Sequence, residues 1–339
     1  MGLEIEPATE EDIDTWNRAV ERSPQANLFH QYEALAVQAE HADAICHRLI
    51  GYKGQEVVGL FPLFEVQKGP FTAVFSPPPE LRISYLGPAL VNMEGLKQRK
   101  LERRQRAFID GCFEWLDAEL GPRYAHVRLH GHYEDLRPFI WRDCDVTPSY
   151  TYHVDLRADE EEILMRFSSD ARSNIRDGRE AAVTIEEGGP EAIDAIIEQV
   201  SQRYENQGIA YHVTEGFVHD LAESLPEGQI RPYTLSIDDE FIGGILSLEY
   251  DDIAYRWQGG VRTDTDVDLS VNDLLDWAVM RSAKSRGCAV YDLVGADNPR
   301  INRYKAKFNP ELVPFYSIEW GSPTANLLAH VYQRLRQRA

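Results

Sequence analysis

Hydrophobic and polar positions follow two periods along this chain, and both periods recur in each half. In the first half, runs with a period of two predict strands at residues 3–7, 44–52, 57–66, 82–91 and 124–129. Runs with the longer helical period predict helices at residues 12–21, 31–40 and 94–120. Strands and helices interleaved in this way are typical of an α+β or α/β sandwich.

The second half repeats the theme with more strands in succession. Helices are predicted at residues 160–167, 170–181 and 191–206, and strands at residues 150–156, 229–237, 241–250 and 253–261. Asp238-Asp239 and Asp251-Asp252 separate the last three strands. Two-residue polar loops of this kind suit antiparallel hairpins.

The clearest helix of the chain follows these hairpins and carries an apolar stripe of Val271, Leu274, Leu275, Ala278 and Val279. Ser270 and Asp273 resemble a capping box at its start, and Gly287 is typical of a helix end. A strand at residues 290–294, a short helix at 299–308, a strand at 313–320 and a helix at 325–336 complete the chain.

An antiparallel meander followed by a helix, a strand, a helix and a last strand resembles the order of the GNAT acyltransferase fold. Both halves show this order. We therefore predict an α+β protein with two tandem GNAT-like domains, each with a mixed, mostly antiparallel sheet, at residues 1–149 and 150–339.

Charge limits the partners that the chain can bind. The 35 basic and 56 acidic residues give a formal net charge of −21. Such a field repels nucleic acids in bulk and anionic membranes, so we expect no DNA binding. The acidic residues are spread along the chain, and lysine is rare. This composition fits a surface solvated in very high salt, as in the cytoplasm of a halophile.

Cysteine and histidine spacing excludes several other classes. Cys46, Cys112, Cys144 and Cys288 are far apart and form no disulfide framework or zinc motif. The histidines have no metal-binding spacing, so we predict no metal site. The N-terminus lacks the pattern of a signal peptide, and no apolar run approaches the roughly 18 residues that span a bilayer. We expect a soluble, cytoplasmic protein without a transmembrane segment.

A short basic segment is the first candidate for chemistry. Residues 300–308 read RINRYKAKF, and no acidic residue lies between Asp297 and Glu311. The chain contains only seven lysines against 28 arginines, yet two of the seven lie in this segment. This placement suggests that an ammonium group is needed there.

The second half contains a series of motifs that resembles a known family. The motifs are RSNIR at 172–176, YRWQGG at 255–260, NDLLDWA at 272–278, YDLVGA at 291–296 and RYKAKF at 303–308. In this order and spacing they resemble the Fem-type peptidyltransferases and the related BioF2-like acetyltransferase domains. The resemblance covers roughly residues 150–320. The first half adds its topology and the segment NLFHQ at 27–31.

The resemblance implies the transfer of an acyl or aminoacyl group to an amine. Family members place an aromatic residue and a lysine beside the reacting carbonyl, and these positions match Tyr304 and Lys305. The Lys305 ammonium would stabilise the negative charge that develops on the carbonyl oxygen. Relatives often have Phe at the first position, so Tyr304 leaves open a role for its hydroxyl or a variant donor.

The resemblance also suggests substrate-binding residues, each with a structural alternative. Arg172 and Arg176 lie four residues apart on one helix face and could bind a phosphate or carboxylate, or pair with the chain's own carboxylates. Arg303 belongs to the basic segment and could equally be solvated. The remaining candidates are Tyr255, Trp257 and Asp292, for which core packing and strand-end hydrogen bonding are the alternatives.

The acyl donor is expected to be a co-substrate, either aminoacyl-tRNA or acyl-CoA, with no permanently bound cofactor. Residues 261–270 correspond to the loop that binds the pyrophosphate of acyl-CoA in GNAT proteins. They contain three aspartates and no glycine, which disfavours acyl-CoA. The basic segment KQRKLERRQR at 97–106 could contact tRNA or a lipid pyrophosphate, or form a solvated helix face.

The expected substrate is a small molecule or a nucleotide-linked or lipid-linked glycan, and tRNA is a further candidate partner. One alternative is an acyl-CoA-dependent N-acetyltransferase that acts on an amino sugar or a small amine. A second alternative is a non-catalytic module that binds a nucleotide-linked glycan.

Overall fold

The structure is a computed structural model that describes residues 2–69, 71–181, 183–260 and 269–321. The described residues form two compact units. The first contains residues 2–148 together with residues 315–321, and the second contains residues 149–314. The second unit thus ends at residue 314, whereas the predicted second domain runs from 150 to 339. The difference arises because the end of the last strand pairs with a strand of the first unit.

The strands were predicted largely at their observed places. They are β1 (Glu4–Pro7), β2 (Ile45–Lys53), β3 (Glu56–Lys68), β4 (Phe71–Ser76), β5 (Ala89–Leu90), β6 (Tyr124–Leu129), β7 (Asp145–Asp155), β8 (Val183–Glu187), β9 (Ile230–Ile237), β10 (Glu240–Tyr250), β11 (Ile253–Gly259), β12 (Val290–Asp292) and β13 (Glu311–Gly321). The sequence did not predict β4 or β8, and the strand expected at 82–91 is reduced to the two residues of β5.

The α-helices also agree with the sequence pattern, apart from α4 and α8, which were not predicted. They are α1 (Ile13–Arg22), α2 (Tyr32–His41), α3 (Gln98–Glu119), α4 (Arg137–Ile140), α5 (Glu160–Arg166), α6 (Ser169–Glu180), α7 (Pro190–Glu205), α8 (Glu215–Ser224), α9 (Val271–Ser285) and α10 (Pro299–Lys305). The helix predicted at 325–336 lies outside the described residues.

The first unit contains a sheet in the order β1-β2-β3-β4-β6-β13. The first four strands pair antiparallel, β4 and β6 pair parallel, and β13 pairs antiparallel with β6 through residues 316–321. Its core lies between this sheet and α3. The buried members include Phe61, Phe108, Leu116, Phe139 and Ile318.

The second unit repeats this plan with the order β8-β9-β10-β11-β12-β7. Again a parallel pair, β11 and β12, occupies the fourth and fifth positions, and the sixth strand, β7, precedes the rest in sequence. The predicted Asp238-Asp239 hairpin turn is confirmed, with both residues at positive φ (50° and 64°), as a type I′ turn requires.

Helix α9 covers one face of the second sheet and carries much of its core. Leu274 and Leu275 are buried there with Tyr291 and Phe308. Gly178 of α6 allows a close helix crossing, because a Cβ atom at this position would lie 2.1 Å from the Leu274 side chain. The sequence therefore places α9, β11, β12 and α10 in a single packed unit, which contains the predicted site residues.

Candidate active site

The candidate site lies at the carboxyl end of β12, where two parallel strands separate. The parallel register runs from Ile253↔Val290 to Tyr255↔Asp292 and stops there, although β11 continues to Gly259. Ligands of sheets with parallel strands bind most often outside the carboxyl ends of those strands. The loop that leaves β12 is therefore a candidate place for a substrate to bind.

Two residues of this loop have left-handed backbone conformations. Val294 has φ = 50° and Gly295 has φ = 85°. Positive φ is strained for a β-branched residue and persists only where the surroundings enforce it. Here the Val294 N–H donates to Asp292 Oδ1 at 2.7 Å, and the Gly295 N–H donates to Thr151 Oγ1 at 3.0 Å. The turn is thus held rigidly in one conformation.

Lys305 holds the same turn from the other side. Its side chain comes from α10, which begins at Pro299 with Asn298 as the N-cap, and the residue is 8% exposed. The Nζ atom donates to the carbonyl oxygens of Val294 at 2.8 Å and Gly295 at 2.7 Å. An ammonium group has three N–H bonds. Within the described residues two of them are occupied and the third has no partner.

Burial, and after it the positive charge of Arg256, lower the pKa of Lys305 from 10.5 to about 8. The carboxylates of Asp292, Asp276 and Asp297 act in the opposite direction. A pKa of about 8 means that Lys305 is mainly an ammonium group at neutral pH and loses its charge in mildly alkaline solution.

Tyr304 points away from the turn and is bound to a buried carboxylate. Its hydroxyl donates to Asp276 Oδ2 at 2.5 Å. The ring packs edge-on against Phe308, with a centroid distance of 5.6 Å, and Lys307 Nζ lies 5.7 Å from the ring centroid. Burial raises the pKa of Tyr304 well above its usual value, so the hydroxyl remains a donor. The residue therefore ties α10 to α9.

Asp276 receives two further hydrogen bonds, and sequence reasoning did not identify it. Arg256 Nε donates to Oδ1 at 2.8 Å, and the Tyr291 hydroxyl donates to the same atom at 2.7 Å. Burial opposes the charged form of Arg256, but the Asp276 carboxylate more than offsets this and raises the Arg256 pKa. The only sequence signal was an aspartate on a helix rich in apolar positions.

Asp292 lies at the end of β12 and is occupied by internal hydrogen bonds. Besides the Val294 N–H, its Oδ1 accepts a short hydrogen bond from Thr151 Oγ1, and Oδ2 lies 3.6 Å from His153 Nε2. Burial opposes ionisation of Asp292, but these donors, His153 foremost, lower its pKa overall. Asp292 therefore supports the turn beneath Lys305.

Tyr255 and Trp257 are both buried in the second unit. Tyr255 is in register with Asp292 and lies on the opposite strand face from Arg256. Trp257 occupies a bulge, because β11 has one residue more than β10 between Arg256 and Gln258, and its ring packs on Phe217 of α8. Bulges of this kind often re-aim side chains beside functional sites.

Of the three predicted arginines, only Arg172 makes side-chain hydrogen bonds within the described residues. Arg172 Nη1 donates to the carbonyl oxygens of Phe167 at 2.6 Å and Met165 at 3.2 Å, and thus caps the end of α5. Arg176 and Arg303 are exposed, on α6 and α10 respectively. Arg172 thus has an internal role, while the other two remain available to a ligand.

Three further predictions concern the start of α9, the basic helix α3 and the loop before α9. Asp273 does not cap α9, because its buried carboxylate instead binds Asn174 and lies 3.3 Å from Lys307 Nζ. In the basic helix α3, Arg104 is buried and forms two hydrogen bonds of 3.1 Å with Glu56. Residues 261–268 of the predicted pyrophosphate loop at 261–270 lie outside the described part of the chain.

Gly259, at the end of β11, allows a close backbone approach, as the double glycine predicts. Its φ is 116°, and a Cβ atom there would lie 2.3 Å from the Gly244 carbonyl oxygen.

Among the described residues, no cluster of three or more histidine, cysteine or acidic side chains could hold a metal ion. No helix in that part of the chain is long and apolar enough to cross a membrane.

The fold and one domain of this chain are similar to known proteins. Residues 165–306 match the family described as Acetyltransferase (GNAT) domain. A crystal structure of FemX is similar with a TM-score of 0.70 and 14% identity, over 92% of this chain and 96% of that chain. No curated protein sequence matches the chain.

Two further solved structures share the fold along nearly their whole length. L-PGS from Bacillus licheniformis has a TM-score of 0.57 at 10% identity, over 98% of this chain and 99% of that one. A tandem GNAT protein from the clavulanic acid biosynthesis pathway has a TM-score of 0.55 at 13% identity, over 94% and 98%. These similarities confirm the predicted α+β tandem GNAT fold and the resemblance to Fem-type proteins.

Proposed function

We propose that this chain, an acyltransferase with a GNAT domain and the tandem fold of FemX, transfers an acyl or aminoacyl group to an amine on a glycan or cell-envelope precursor. One observation carries the proposal. Lys305, a buried lysine in a chain with few lysines, has one N–H bond without a partner among the described residues, at the carboxyl end of a parallel strand pair.

The geometry supports oxyanion stabilisation by Lys305. The acceptor amine attacks the donor carbonyl carbon, a C–N bond forms, and negative charge develops on the carbonyl oxygen. The remaining Lys305 N–H can donate to that oxygen, and a donor fixed before the reaction costs no reorganisation. The intermediate then collapses, the bond from carbon to the leaving group breaks, and the proton lost by the amine ends on the leaving sulfur or oxygen.

The remaining candidates take supporting roles in this proposal. Asp292 and Thr151 fix the turn that Lys305 binds, and Tyr304 fixes α10. Tyr255 and Trp257 would form part of the wall of the site next to the carboxyl end of β12. The exposed Arg176 and Arg303 are available to an anionic group of the substrate. Arg172 reaches a substrate only if it gives up its bonds to the end of α5.

Two donors fit the reaction. The Fem-like resemblance favours an aminoacyl-tRNA, and the loop at 261–270, with three aspartates and no glycine, disfavours acyl-CoA. The alternative, acyl-CoA, is favoured by the match to the acetyltransferase family and by the tandem GNAT neighbour, whose structure is described as lacking AcCoA. In both cases the donor is a co-substrate and no cofactor stays bound.

Transfer assays with both donors test the proposal. The purified protein is incubated with radiolabelled acetyl-CoA or with tRNA charged with a labelled amino acid, together with amino-sugar nucleotides or a peptidyl amine. We expect labelled amide product from one donor, and thermal stabilisation of the protein by that donor. Absence of amide product from both donors across the acceptor panel, with neither donor raising the melting temperature, would contradict an acyltransferase function.

A further inference from the structure

The network around Asp276 joins four elements of the second unit. The carboxylate lies on α9 and is fully buried. Its donors are Arg256 on β11, Tyr291 on β12 and Tyr304 on α10. A buried carboxylate is costly unless its oxygen atoms are hydrogen-bonded, and three donors meet that requirement. Asp276 therefore links α9 to β11, β12 and α10, three of the elements next to the Lys305 turn.

Helix α10 depends on this fastening for its orientation. It has seven residues, and isolated helices of this length are unstable, so tertiary contacts determine where its side chains point. Tyr304 and Lys305 are consecutive in it. The Tyr304 hydroxyl holds one side of the helix on α9, and Lys305 reaches the Val294 and Gly295 carbonyls from the adjacent side.

We propose that Asp276 is a positioning residue for Lys305, acting through its bond to Tyr304 and through its negative charge. Only the prediction for kcat rests on the proposed function; the prediction for the titration of Lys305 does not. The hydroxyl of Tyr304, at a position where relatives often have Phe, then serves to hold α10 in place.

The charges that face Lys305 explain why the carboxylate matters electrostatically. Arg256 on β11 lowers the Lys305 pKa, while Asp276 on α9, Asp292 on β12 and Asp297 in the loop raise it. Arg256 and Asp276 are paired at 2.8 Å, so each screens the other's effect on Lys305. Removal of the carboxylate alone leaves the Arg256 cation uncompensated beside the Lys305 ammonium, and two like charges disfavour protonation.

Asp273 provides a matched control on the same helix. It lies one turn before Asp276 and is also buried, but it binds Asn174 and Lys307 and makes no hydrogen bond to Tyr304. Replacement of either aspartate by asparagine removes one buried charge from α9. Only Asp276 accepts the hydrogen bond from Tyr304 and raises the pKa of Lys305.

The titration of Lys305 can be measured without a substrate. Trace acetylation with acetic anhydride at a series of pH values, followed by peptide mass spectrometry, gives the midpoint for each of the seven lysines. We expect Asp276→Asn to lower the Lys305 midpoint by about one pH unit. Asp273→Asn should leave it unchanged. Equal shifts in the two variants, or no shift in Asp276→Asn, would overturn the electrostatic part of the inference.

A double variant covers the case in which Asp276→Asn does not fold. Asp276→Asn combined with Arg256→Gln removes both members of the ion pair. Because Arg256 affects Lys305 more strongly than Asp276 does, the Lys305 midpoint should then lie above that of the unmodified protein. A midpoint at or below the original value contradicts the inference.

Tyr304→Phe tests the anchoring separately. It keeps both charges of the pair and the ring contact with Phe308, and it removes only the hydroxyl. We expect an unchanged Lys305 midpoint, a kcat lower by about five- to tenfold, as expected for the loss of one hydrogen bond to a charged group, and an unchanged KM. An unaltered kcat would overturn the anchoring role. The acetylation experiment needs no turnover. A negative result there can therefore be distinguished from a failure of the proposed function.

Discussion

The two units of this chain share a strand order and differ in the residue that they bury on the short helix after the fifth strand. In each unit a parallel pair occupies the fourth and fifth strand positions, and a short helix follows the fifth strand. In the first unit this helix, α4, buries Phe139. In the second unit the corresponding helix, α10, buries Lys305. The same fold thus supports a hydrophobic core in one case and a candidate catalytic centre in the other.

The buried polar groups differ in the same way. The first unit buries His30 in its neutral form, because burial lowers its pKa to about 4. The second unit buries carboxylates that accept hydrogen bonds, namely Asp276 and Asp292. Charged side chains are therefore buried in both units, Glu65 and Arg104 in the first and Asp276, Asp292 and Lys305 in the second, but among the described residues only the second unit buries a lysine.

The largest effect in this comparison is expected from Phe139→Ala. Phe139 is fully buried and packs against Phe113 and Tyr133, so its truncation should lower the free energy of unfolding by about 3–5 kcal/mol. Ile140→Ala is the control, because the neighbouring residue is 52% exposed. Urea denaturation would measure both. Similar, small losses in the two variants would show that α4 does not form a core element of the first unit.

Acidification should affect the first unit before the second. The pKa of His30 is about 4 in the folded chain against 6.5 in the unfolded chain, so the unfolded chain binds the proton first. The stability that neutral His30 provides is complete above pH 6.5 and is lost as the pH falls towards 4, at a total of about 3 kcal/mol. Asp292, whose pKa is lowered, loses its contribution only below the usual carboxylate range, under about pH 4.

Hydrogen exchange followed by mass spectrometry can separate these two transitions. Peptides around His30 should lose protection between pH 6.5 and 4, while peptides of β12 keep theirs. His30→Gln should flatten the pH dependence of the first unit in this range. Loss of protection in β12 at the same pH as in the first unit would contradict the assignment.

A smaller effect distinguishes the two predicted arginines of α6. Arg172→Ala removes two hydrogen bonds to the end of α5 and should lower the free energy of unfolding by about 1 kcal/mol. Arg176→Ala, at an exposed position, should change it by less than about 0.5 kcal/mol. Thermal unfolding of the two variants measures the difference. A strongly raised KM in Arg172→Ala at unchanged stability would instead assign this residue to the substrate.

Much of the second unit could be predicted because its motifs follow one another in a known order. The segments around β12 and α10 were located by sequence, and Lys305 was identified from its rarity and from the family motif. The strand β4 was missed because the proline-rich segment after Ser76 is typical of a loop. The strand β8 is a short edge strand with no fully buried residue, so its pattern was weak.

The Asp276 network could not be predicted, since its four members come from separate segments and only the fold brings them together. Asp273 was interpreted as a local cap because Ser270 precedes it by three residues, whereas its real partners are distant in sequence. Arg172 could not be assigned either, because spacing alone does not distinguish a helix-capping arginine from one that binds a ligand. Local patterns predicted the elements, but long-range hydrogen bonds determine the site.

The most direct test of the central claim is a comparison of kcat/KM for Lys305→Ala and Lys307→Ala with the active donor. Lys307 lies two residues away and pairs with Asp170 and Asp273 rather than with the turn. We predict a 10²- to 10³-fold loss for Lys305→Ala, about 2.7–4 kcal/mol of barrier, and a change within about twofold for Lys307→Ala. Wild-type turnover in a folded Lys305→Ala variant, or equal losses in both variants, would contradict the claim.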